Sequence, residues 1–208
     1  MLTKSKTINY KTTMKKLSSI LMIALAALAF QACKNKAKDS TSAADSANMT
    51  KDTSTNPSAT GGIAVDADDA KFVTTAANDG MAEVNAGNMA QQKAVSKRVK
   101  AFAAMMVTDH TKAGDELAAI AKSKNITLPT APNADAQKMA DDMAKMSGKD
   151  FDKDYVNAMV DGHEKAVKLF TDASQNCKDA DLKNFATKTL PTLKMHLDSI
   201  KAIKASMK

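Results

Sequence analysis

Glycine and aromatic residues are scarce in this chain. Several sequence motifs of catalytic sites are absent as well. Only seven of its 208 residues are glycine, aromatic residues make up 4% and tryptophan is absent. The sequence contains no glycine-rich phosphate loop, no Gly-x-Ser-x-Gly elbow and no cysteine and histidine in a nucleophile-like arrangement. These absences count against nucleotide-dependent and nucleophilic enzymes and favour a protein without enzymatic activity.

Charge is absent from residues 17–32, which directly follow Lys15 and Lys16. A basic segment followed by an apolar run that ends in small residues is typical of an export signal. The run is also shorter than the roughly 20 apolar residues that a membrane-spanning helix needs. We therefore predict a signal peptide over residues 1–32, with Met14 as the true start.

One of only two cysteines follows this signal. Residues 30–33, Phe-Gln-Ala-Cys, resemble a relaxed bacterial lipoprotein box, in which cleavage precedes the cysteine and that residue is acylated. We predict lipidation of Cys33 and anchoring to a membrane of the bacterial cell envelope; the alternative is an ordinary signal peptide with an incidental thiol. An acylated Cys33 leaves Cys177 without a disulfide partner in the chain. Cys177 is then either a reactive thiol or a plain half-exposed cysteine.

The formal charge of +7 comes largely from the predicted signal peptide. Removing the five lysines of residues 1–32, a segment without acidic residues, leaves a charge of +2. In the remaining sequence, lysine and arginine are interspersed with aspartate and glutamate, which is typical of solvated helix faces. The sequence therefore predicts no nucleic-acid partner.

Residues 34–65 are polar and contain no aromatic side chain. Such a segment buries too little apolar area to offset the entropy of ordering it, so we predict a flexible linker over residues 33–65, beginning at the lipidated cysteine. The predicted globular domain covers residues 66–208.

Residues 66–208 show helical periodicity and no alternation of period two, so we predict an all-α domain without strands. Capping residues and breaks place four long helices and one additional short helix in an up-and-down bundle. Their predicted bounds are Asp66 to about Lys93, Ser96 to Lys124, a short helix after Asn133, Asp150 to about Asn176, and about Asp179 to the end.

Three further features of these helices are predicted from individual residues. Small residues, among them Gly80 and Gly87, would let a neighbouring helix approach the first long helix closely. Met139, Met143 and Met146 would repeat along one side of the short helix. Pro191 would kink the last helix, because proline removes an amide donor and collides with the carbonyl four residues earlier.

Four polar residues interrupt the predicted apolar faces of the long helices, one near the middle of each: Glu83, His110, His163 and His196. Imidazole and carboxylate groups on facing helices are ligands that suit zinc, iron or copper. No Glu-x-x-His pair occurs, so a two-metal carboxylate centre is not supported and a single ion is the most that we predict. The alternative is that neighbouring carboxylates or carbonyls satisfy the histidines, which then tie helices together.

Several other residues bear on this site. Asp109, Asp161 and Glu116 are candidate hydrogen-bonding partners of the histidines. Met105, Met106 and Met195 stand close in sequence to His110 and His196, which is compatible with copper. Methionine at helical spacing is more often a filler of the apolar core.

The domain resembles the bacterial family known as domain of unknown function 4142. The residues that carry the resemblance are Gly80, Glu83, Phe102, Met106, Val107, Asp109, His110, Leu117, Ala121, Leu128, Pro129, Phe151, Tyr155, His163, Leu190, Pro191, His196 and Leu197. The resemblance implies a ferritin-like fold and an exported protein of the outer membrane. The resemblance does not indicate which activity the domain has.

Two functions follow from these observations. The first is a non-enzymatic, membrane-anchored lipoprotein of the outer membrane or periplasm, whose helical bundle has a structural or interaction role with an unidentified protein partner. The second is a metal-binding ferritin-like domain that uses the three histidines and Glu83.

Overall fold

A computed structural model describes residues 39–51 and 65–207. The predicted signal peptide, the predicted lipidation of Cys33 and the remaining parts of the predicted linker lie outside the described residues. No described helix is long and apolar enough to cross a membrane.

The described residues form six helices and no strand. Their bounds are α1 Ser40–Lys51, α2 Ala67–Lys93, α3 Lys97–Ser123, α4 Ala134–Ala144, α5 Gly148–Asn176 and α6 Ala180–Ala205. The predicted all-α class is confirmed, with α2, α3, α5 and α6 as the four long helices and α4 as the additional short one.

Side-chain caps begin most of these helices where the sequence predicts them. The side chains of Asp66, Ser96, Asn133 and Asp179 each accept a hydrogen bond from a backbone amide in the first turn of α2, α3, α4 and α6. The predicted cap at Asp150 is wrong. Helix α5 begins two residues earlier, at Gly148, because the carbonyl of Ser147 already accepts from the amide of Phe151 at 3.3 Å.

Carboxylates at the helix ends establish the directions of the long helices. Asp69, near the start of α2, accepts hydrogen bonds from the amides of Lys178 and Asp179 in the turn between α5 and α6. Lys124, at the end of α3, forms an ion pair with Asp179 at 2.7 Å. Helices α3 and α5 therefore end on the same side of the bundle and run in the same direction.

The connection from α3 to α5 consequently returns along the length of the bundle, and α4 lies within it. This refines the predicted up-and-down order into two antiparallel hairpins, α2 with α3 and α5 with α6, joined by one long crossover. Ferritin-like folds are among the bundles with one such crossover, although the ferritin-like assignment itself stays a prediction.

Helix α1 contradicts the prediction that all of residues 34–65 are flexible. It packs against α2 and the loop after α3, although only Ala44 and Asn48 of α1 are buried. Polar contacts hold it: Asn48 exchanges two hydrogen bonds with the backbone of Thr127, at 2.7 and 2.9 Å, and Thr74 donates to Asp45 at 2.6 Å. An estimate based on apolar burial alone misses a helix that is held in this way.

The apolar core consists of two clusters. One lies toward the turn between α5 and α6 and contains Phe72, Leu117 and Phe170. The other lies toward the opposite end and contains Phe102 and Tyr155. Polar residues of the four long helices lie between them.

Single residues settle the smaller predictions about packing. Gly87 allows the predicted close approach, because a Cβ there would lie 2.9 Å from the side chain of Val107; a Cβ at Gly80 would have no neighbour within 4 Å. Of the methionines that repeat along one side of α4, Met143 is buried and Met139 is 47% exposed. Helix α6 continues through Pro191, and the kink there stays a prediction.

Candidate metal centre

The structure brings the three histidines together at the middle of the bundle. His110 of α3, His163 of α5 and His196 of α6 have ring centroids 5.4 to 5.6 Å apart. One ring nitrogen from each histidine lies within 4.8 Å of those of the other two. His163 and His196 are fully buried, and the side chain of His110 is 9% exposed.

Glu83 of α2 contacts two of these rings with its two carboxylate oxygens. Its Oε2 lies 3.1 Å from Nδ1 of His110, and its Oε1 lies 3.3 Å from Nδ1 of His163. A Cβ at position 162 would lie 3.3 Å from the same Oε1, so the glycine there leaves the carboxylate room against α5. Glu83 thus lies on the Nδ1 side of both rings.

The other outer contacts come from a backbone carbonyl and a second carboxylate. Nδ1 of His163 lies 3.0 Å from the carbonyl oxygen of Met159, one turn earlier in α5. Nε2 of His196 lies 2.9 Å from Oδ2 of Asp109 in α3. A carbonyl and an ionised carboxylate only accept hydrogen bonds, so these two ring nitrogens carry the hydrogen in the neutral rings.

The second nitrogen of each ring has no hydrogen-bonding partner among the described residues. These atoms are Nε2 of His110, Nε2 of His163 and Nδ1 of His196, and all three are buried. In neutral imidazole, the nitrogen opposite the N–H holds a lone pair. His163 and His196 therefore each keep a buried lone pair, and His110 does so when Glu83 is ionised and accepts from its Nδ1.

Burial determines the protonation of the cluster. It lowers the pKa of His110 to about 3 and that of His163 to about 4, with a further contribution from the neighbouring imidazoles. Burial also raises the pKa of Glu83 to about 8, and the nearby Asp79 adds to the rise. Both of these histidines are neutral at pH 7, which is the state that binds metal ions.

Aromatic residues close the cluster on the side of the second apolar core. The ring of Phe102 lies edge-on to His163 and His196, with centroids 6.4 and 6.3 Å away. Tyr155 packs edge-on to Phe102, and burial raises the pKa of its buried hydroxyl. The helical periodicity of the sequence places these aromatic rings in the core but does not show that Phe102 contacts the histidines.

On the opposite side, a cleft of about 760 Å³ reaches the cluster from the surface. Its lining includes Glu83, His110 and His196 but not His163. Buried apolar side chains from three helices, Leu117, Phe170 and Leu193, form part of its walls. The site is thus closed by aromatic packing on one side and opens to solvent on the other.

Other residues that the sequence singles out have different outcomes. Of the predicted partners of the histidines, Asp109 contacts His196, whereas Glu116 forms an ion pair with Lys188 at 2.8 Å and Asp161 is exposed. Cys177 is buried, so the predicted half-exposed thiol is wrong.

The methionines near the histidines separate into core and surface residues. Met106 is fully buried in the second apolar cluster, and Met105 packs against that cluster. Met195 is 44% exposed.

Comparison with solved structures identifies similar folds. A DUF305 fragment from Deinococcus radiodurans is 10% identical with a TM-score of 0.60, and covers 68% of this chain and 98% of its own length. CopM in its Cu(II)-bound form is 16% identical with a TM-score of 0.58, and covers 67% and 97%. At these identities the likeness is one of fold.

Comparison at the level of sequence identifies one family. No curated protein is significantly similar to this chain. The model of the family described as domain of unknown function, DUF4142, matches residues 52–203, which include α2 to α5, most of α6 and the whole histidine cluster. The chain therefore belongs to the DUF4142 family.

Proposed function

We propose that the domain binds a single divalent transition-metal ion through Nε2 of His110, Nε2 of His163 and Nδ1 of His196. The observation that carries this proposal is that the two nitrogens of each ring have different surroundings. One nitrogen contacts an acceptor and the other is buried without a partner. A buried lone pair without a donor is unfavourable unless something binds it. Two of them lie together here, on His163 and His196, and His110 adds a third when Glu83 is ionised.

The spacing is compatible with one ion after a small adjustment. Zinc binds imidazole nitrogen at about 2.0 to 2.1 Å, so two ligand nitrogens lie at most about 4.2 Å apart. One ring nitrogen of each histidine already lies within 4.8 Å of those of the other two. Rotations that move each nitrogen by less than about 1 Å would complete the site.

In this proposal Glu83 and Asp109 are outer partners of the ligands. A hydrogen bond from the second ring nitrogen to a carboxylate fixes the orientation of a ligating histidine and raises its basicity. Glu83 would orient His110 and His163, and Asp109 would orient His196. The charge of the ion would also favour the ionised form of Glu83, in which it accepts from His110.

Copper(II) is the ion that we place first, with zinc second. Nitrogen ligands suit both ions, and copper(II) binds such ligands more tightly than the other divalent ions of the first row. The Cu(II)-bound form of CopM, a protein of similar fold, adds support. Only Glu83 and Asp109 lie beside the histidines among the described residues, and the sequence has no Glu-x-x-His pair, so the site offers too few carboxylates for a two-iron centre.

We further propose that this metal-binding domain belongs to a lipoprotein of the cell envelope, acylated at Cys33. The support comes from the sequence: Lys15 and Lys16, the uncharged run of residues 17–32, and the cysteine that follows it. Mass spectrometry of the membrane fraction tests this point. We expect acyl chains on an N-terminal Cys33, and an unmodified soluble mature chain would contradict the proposal.

Titration of the purified metal-free chain with Cu(II) and Zn(II) tests the binding function. We expect one ion per chain and, for Cu(II), an electron paramagnetic resonance spectrum with nitrogen hyperfine coupling. The His110→Gln, His163→Gln and His196→Gln variants should each weaken binding by at least about 100-fold, because each removes a ligand. Unaltered Cu(II) affinity in all three variants would leave the histidines with a purely structural role.

Met195→Leu provides a matched control next to His196 in sequence. It removes an exposed thioether and no imidazole. We expect the affinity for Cu(II) to stay within about twofold of wild type. A large loss would favour a copper site that includes methionine sulfur.

A further inference from the structure

The cleft reaches the histidine cluster beside two of its three rings. His110 and His196 line it, whereas His163 does not. The side chain of His110 is 9% exposed, that of His196 is 1% exposed, and each has a buried nitrogen without a hydrogen-bonding partner among the described residues. A metal ion held by the three imidazoles would therefore lie at the inner end of this cleft.

Three nitrogen ligands leave a four-coordinate ion with one position to fill. On the far side of the cluster, Phe102 packs edge-on against His163 and His196, and it offers no ligand atom. The cleft side has room, since its volume of about 760 Å³ is several times that of a small heterocyclic molecule. The remaining ligand must therefore come from the cleft.

The charges along the cleft are mainly negative. Besides Glu83, its lining contains the acidic residues Asp79, Asp109, Asp115 and Glu116, and only the two lysines Lys112 and Lys188. Lys188 is already paired with Glu116, at 2.8 and 2.9 Å. The acidic residues thus outnumber the lysines by two even when Glu83 keeps its proton, so the lining disfavours an approaching anion.

Apolar groups supply the other part of the recognition surface. Leu117, Phe170 and Leu193 line the cleft and belong to the first apolar cluster. Apolar and aromatic walls with a few polar groups at one end are typical of small-molecule sites. A ligand that suits both features has a flat apolar body, no negative charge and one donor atom for the metal.

We propose that the cleft is a binding site for a neutral nitrogen heterocycle, which occupies the fourth coordination position of the ion. The proposal rests on the proposed metal-binding function and adds the class of ligand that the bound ion takes. Neutral imidazole represents this class. Azide, a small anion that also binds copper(II), represents the class that the acidic lining disfavours.

The experiment uses the Cu(II)-loaded chain and follows its visible absorption and electron paramagnetic resonance spectra. We expect imidazole to shift both spectra in a saturable manner and azide to bind at least about tenfold more weakly. In the Asp115→Asn variant, azide binding should strengthen by about threefold, because one negative charge of the cleft lining is removed. Imidazole binding should stay within about twofold of wild type.

Asp161→Asn is the control for a change of charge outside the cleft. Asp161 is exposed on α5, two residues from His163, and does not line the cleft. This variant should bind azide and imidazole as the wild type does. Circular dichroism and the copper content of each variant show whether fold and metal site are retained.

The outcomes separate this proposal from the function on which it rests. A wild-type chain that binds no Cu(II) would overturn both. A Cu(II)-loaded chain whose spectra respond to neither ligand would overturn the cleft proposal and leave the metal site standing. Azide binding as tight as imidazole binding, unchanged in the Asp115→Asn variant, would overturn the class of ligand.

Discussion

Oδ2 of Asp109 lies 2.9 Å from Nε2 of His196, although Asp109 directly precedes another histidine of the cluster, His110. Neighbouring positions of a helix point in directions about 100° apart, so Asp109 reaches α6 while His110 points toward α2 and α5. Together with Glu83, whose carboxylate oxygens lie 3.1 and 3.3 Å from Nδ1 of His110 and His163, this contact gives every histidine a carboxylate neighbour on another helix. The bundle orients all three rings before any ion arrives.

Asp109→Asn tests the role of this contact. The amide oxygen can still accept from Nε2 of His196, but the negative charge that raises the basicity of the ring is lost. We expect Cu(II) affinity to fall by about 10- to 100-fold, as is usual for outer partners of metal ligands, with little change in folding. Isothermal titration measures the affinity and Asp161→Asn is the control. Equal affinities in the two variants would contradict the assigned role of Asp109.

Metal binding should stabilise the domain. An ion that binds only the folded state at 100 times its dissociation constant adds about 2.7 kcal/mol to the free energy of unfolding. For a domain of this size we expect the melting temperature to rise by roughly 5 to 10 °C. Thermal unfolding with and without Cu(II) or Zn(II) measures this shift, and a chelator should reverse it. The variant that lacks all three histidines should show no shift.

Periodicity in the sequence predicts that the histidines converge, and it does so for a clear reason. A repeat of 3.6 residues determines which side of each helix is apolar, and His110, His163 and His196 all fall on that side. The same pattern cannot show which nitrogen of a ring faces its neighbours. That depends on acceptors such as Asp109, which is 87 residues from its partner His196.

Glu83 illustrates the same limit. Its inward position is predictable from the spacing along α2, and the sequence suggests a metal ligand. The structure places both of its oxygens beside Nδ1 atoms of His110 and His163. Gly162 leaves room for this carboxylate against α5, and no periodic pattern in the sequence reports that contact.

Helix α1 is unpredictable from composition for a different reason. Only Ala44 and Asn48 of this helix are buried. Its position depends on hydrogen bonds to residues that lie far away in the sequence, such as the pair between Asn48 and Thr127. Asn48→Ala should release this helix, because it leaves the backbone of Thr127 without two partners, at a cost of about 1 to 3 kcal/mol.

Hydrogen exchange measured by mass spectrometry tests this prediction. Amides of α1 should exchange faster in Asn48→Ala, whereas those of α5 should be unchanged. Met49→Ala is the matched control, since Met49 neighbours Asn48 and is 72% exposed. Equal protection of α1 in both variants and in the wild type would contradict the role of Asn48.

Cys177 should be inert in the folded chain. It is 5% exposed, and burial together with the neighbouring carboxylate of Asp69 raises the pKa of its thiol to about 12. At pH 8 roughly one thiol in ten thousand would be ionised, and the thiolate is the reactive form. We expect a disulfide reagent to label Cys177 slowly in the native chain and at once in denaturant. Rapid stoichiometric labelling of the native chain would contradict this expectation.

Three ionisable groups of the cluster give the metal-free domain an optimum of stability near pH 6.5. Burial lowers the pKa values of His110 and His163 from 6.5 to about 3 and 4. Below pH 6.5 the unfolded chain therefore binds more protons than the folded chain, so the free energy of unfolding decreases as the pH is lowered. Burial raises the pKa of Glu83 from 4.5 to about 8, so the folded chain holds an extra proton between these values. That contribution is lost as the pH rises through 8.

Between pH 4.5 and 6.5 the two histidines outweigh the single glutamate, and above pH 6.5 only Glu83 contributes. Each group changes the free energy of unfolding by at most about 1.4 kcal/mol per pH unit. Urea unfolding at pH 5, 6.5 and 8, with a chelator present, measures both limbs. Glu83→Gln cannot ionise, so it should lose the decline from pH 6.5 to 8 and keep the acid limb. A wild-type stability that is constant from pH 6.5 to 8 would show that Glu83 is already ionised in the metal-free domain.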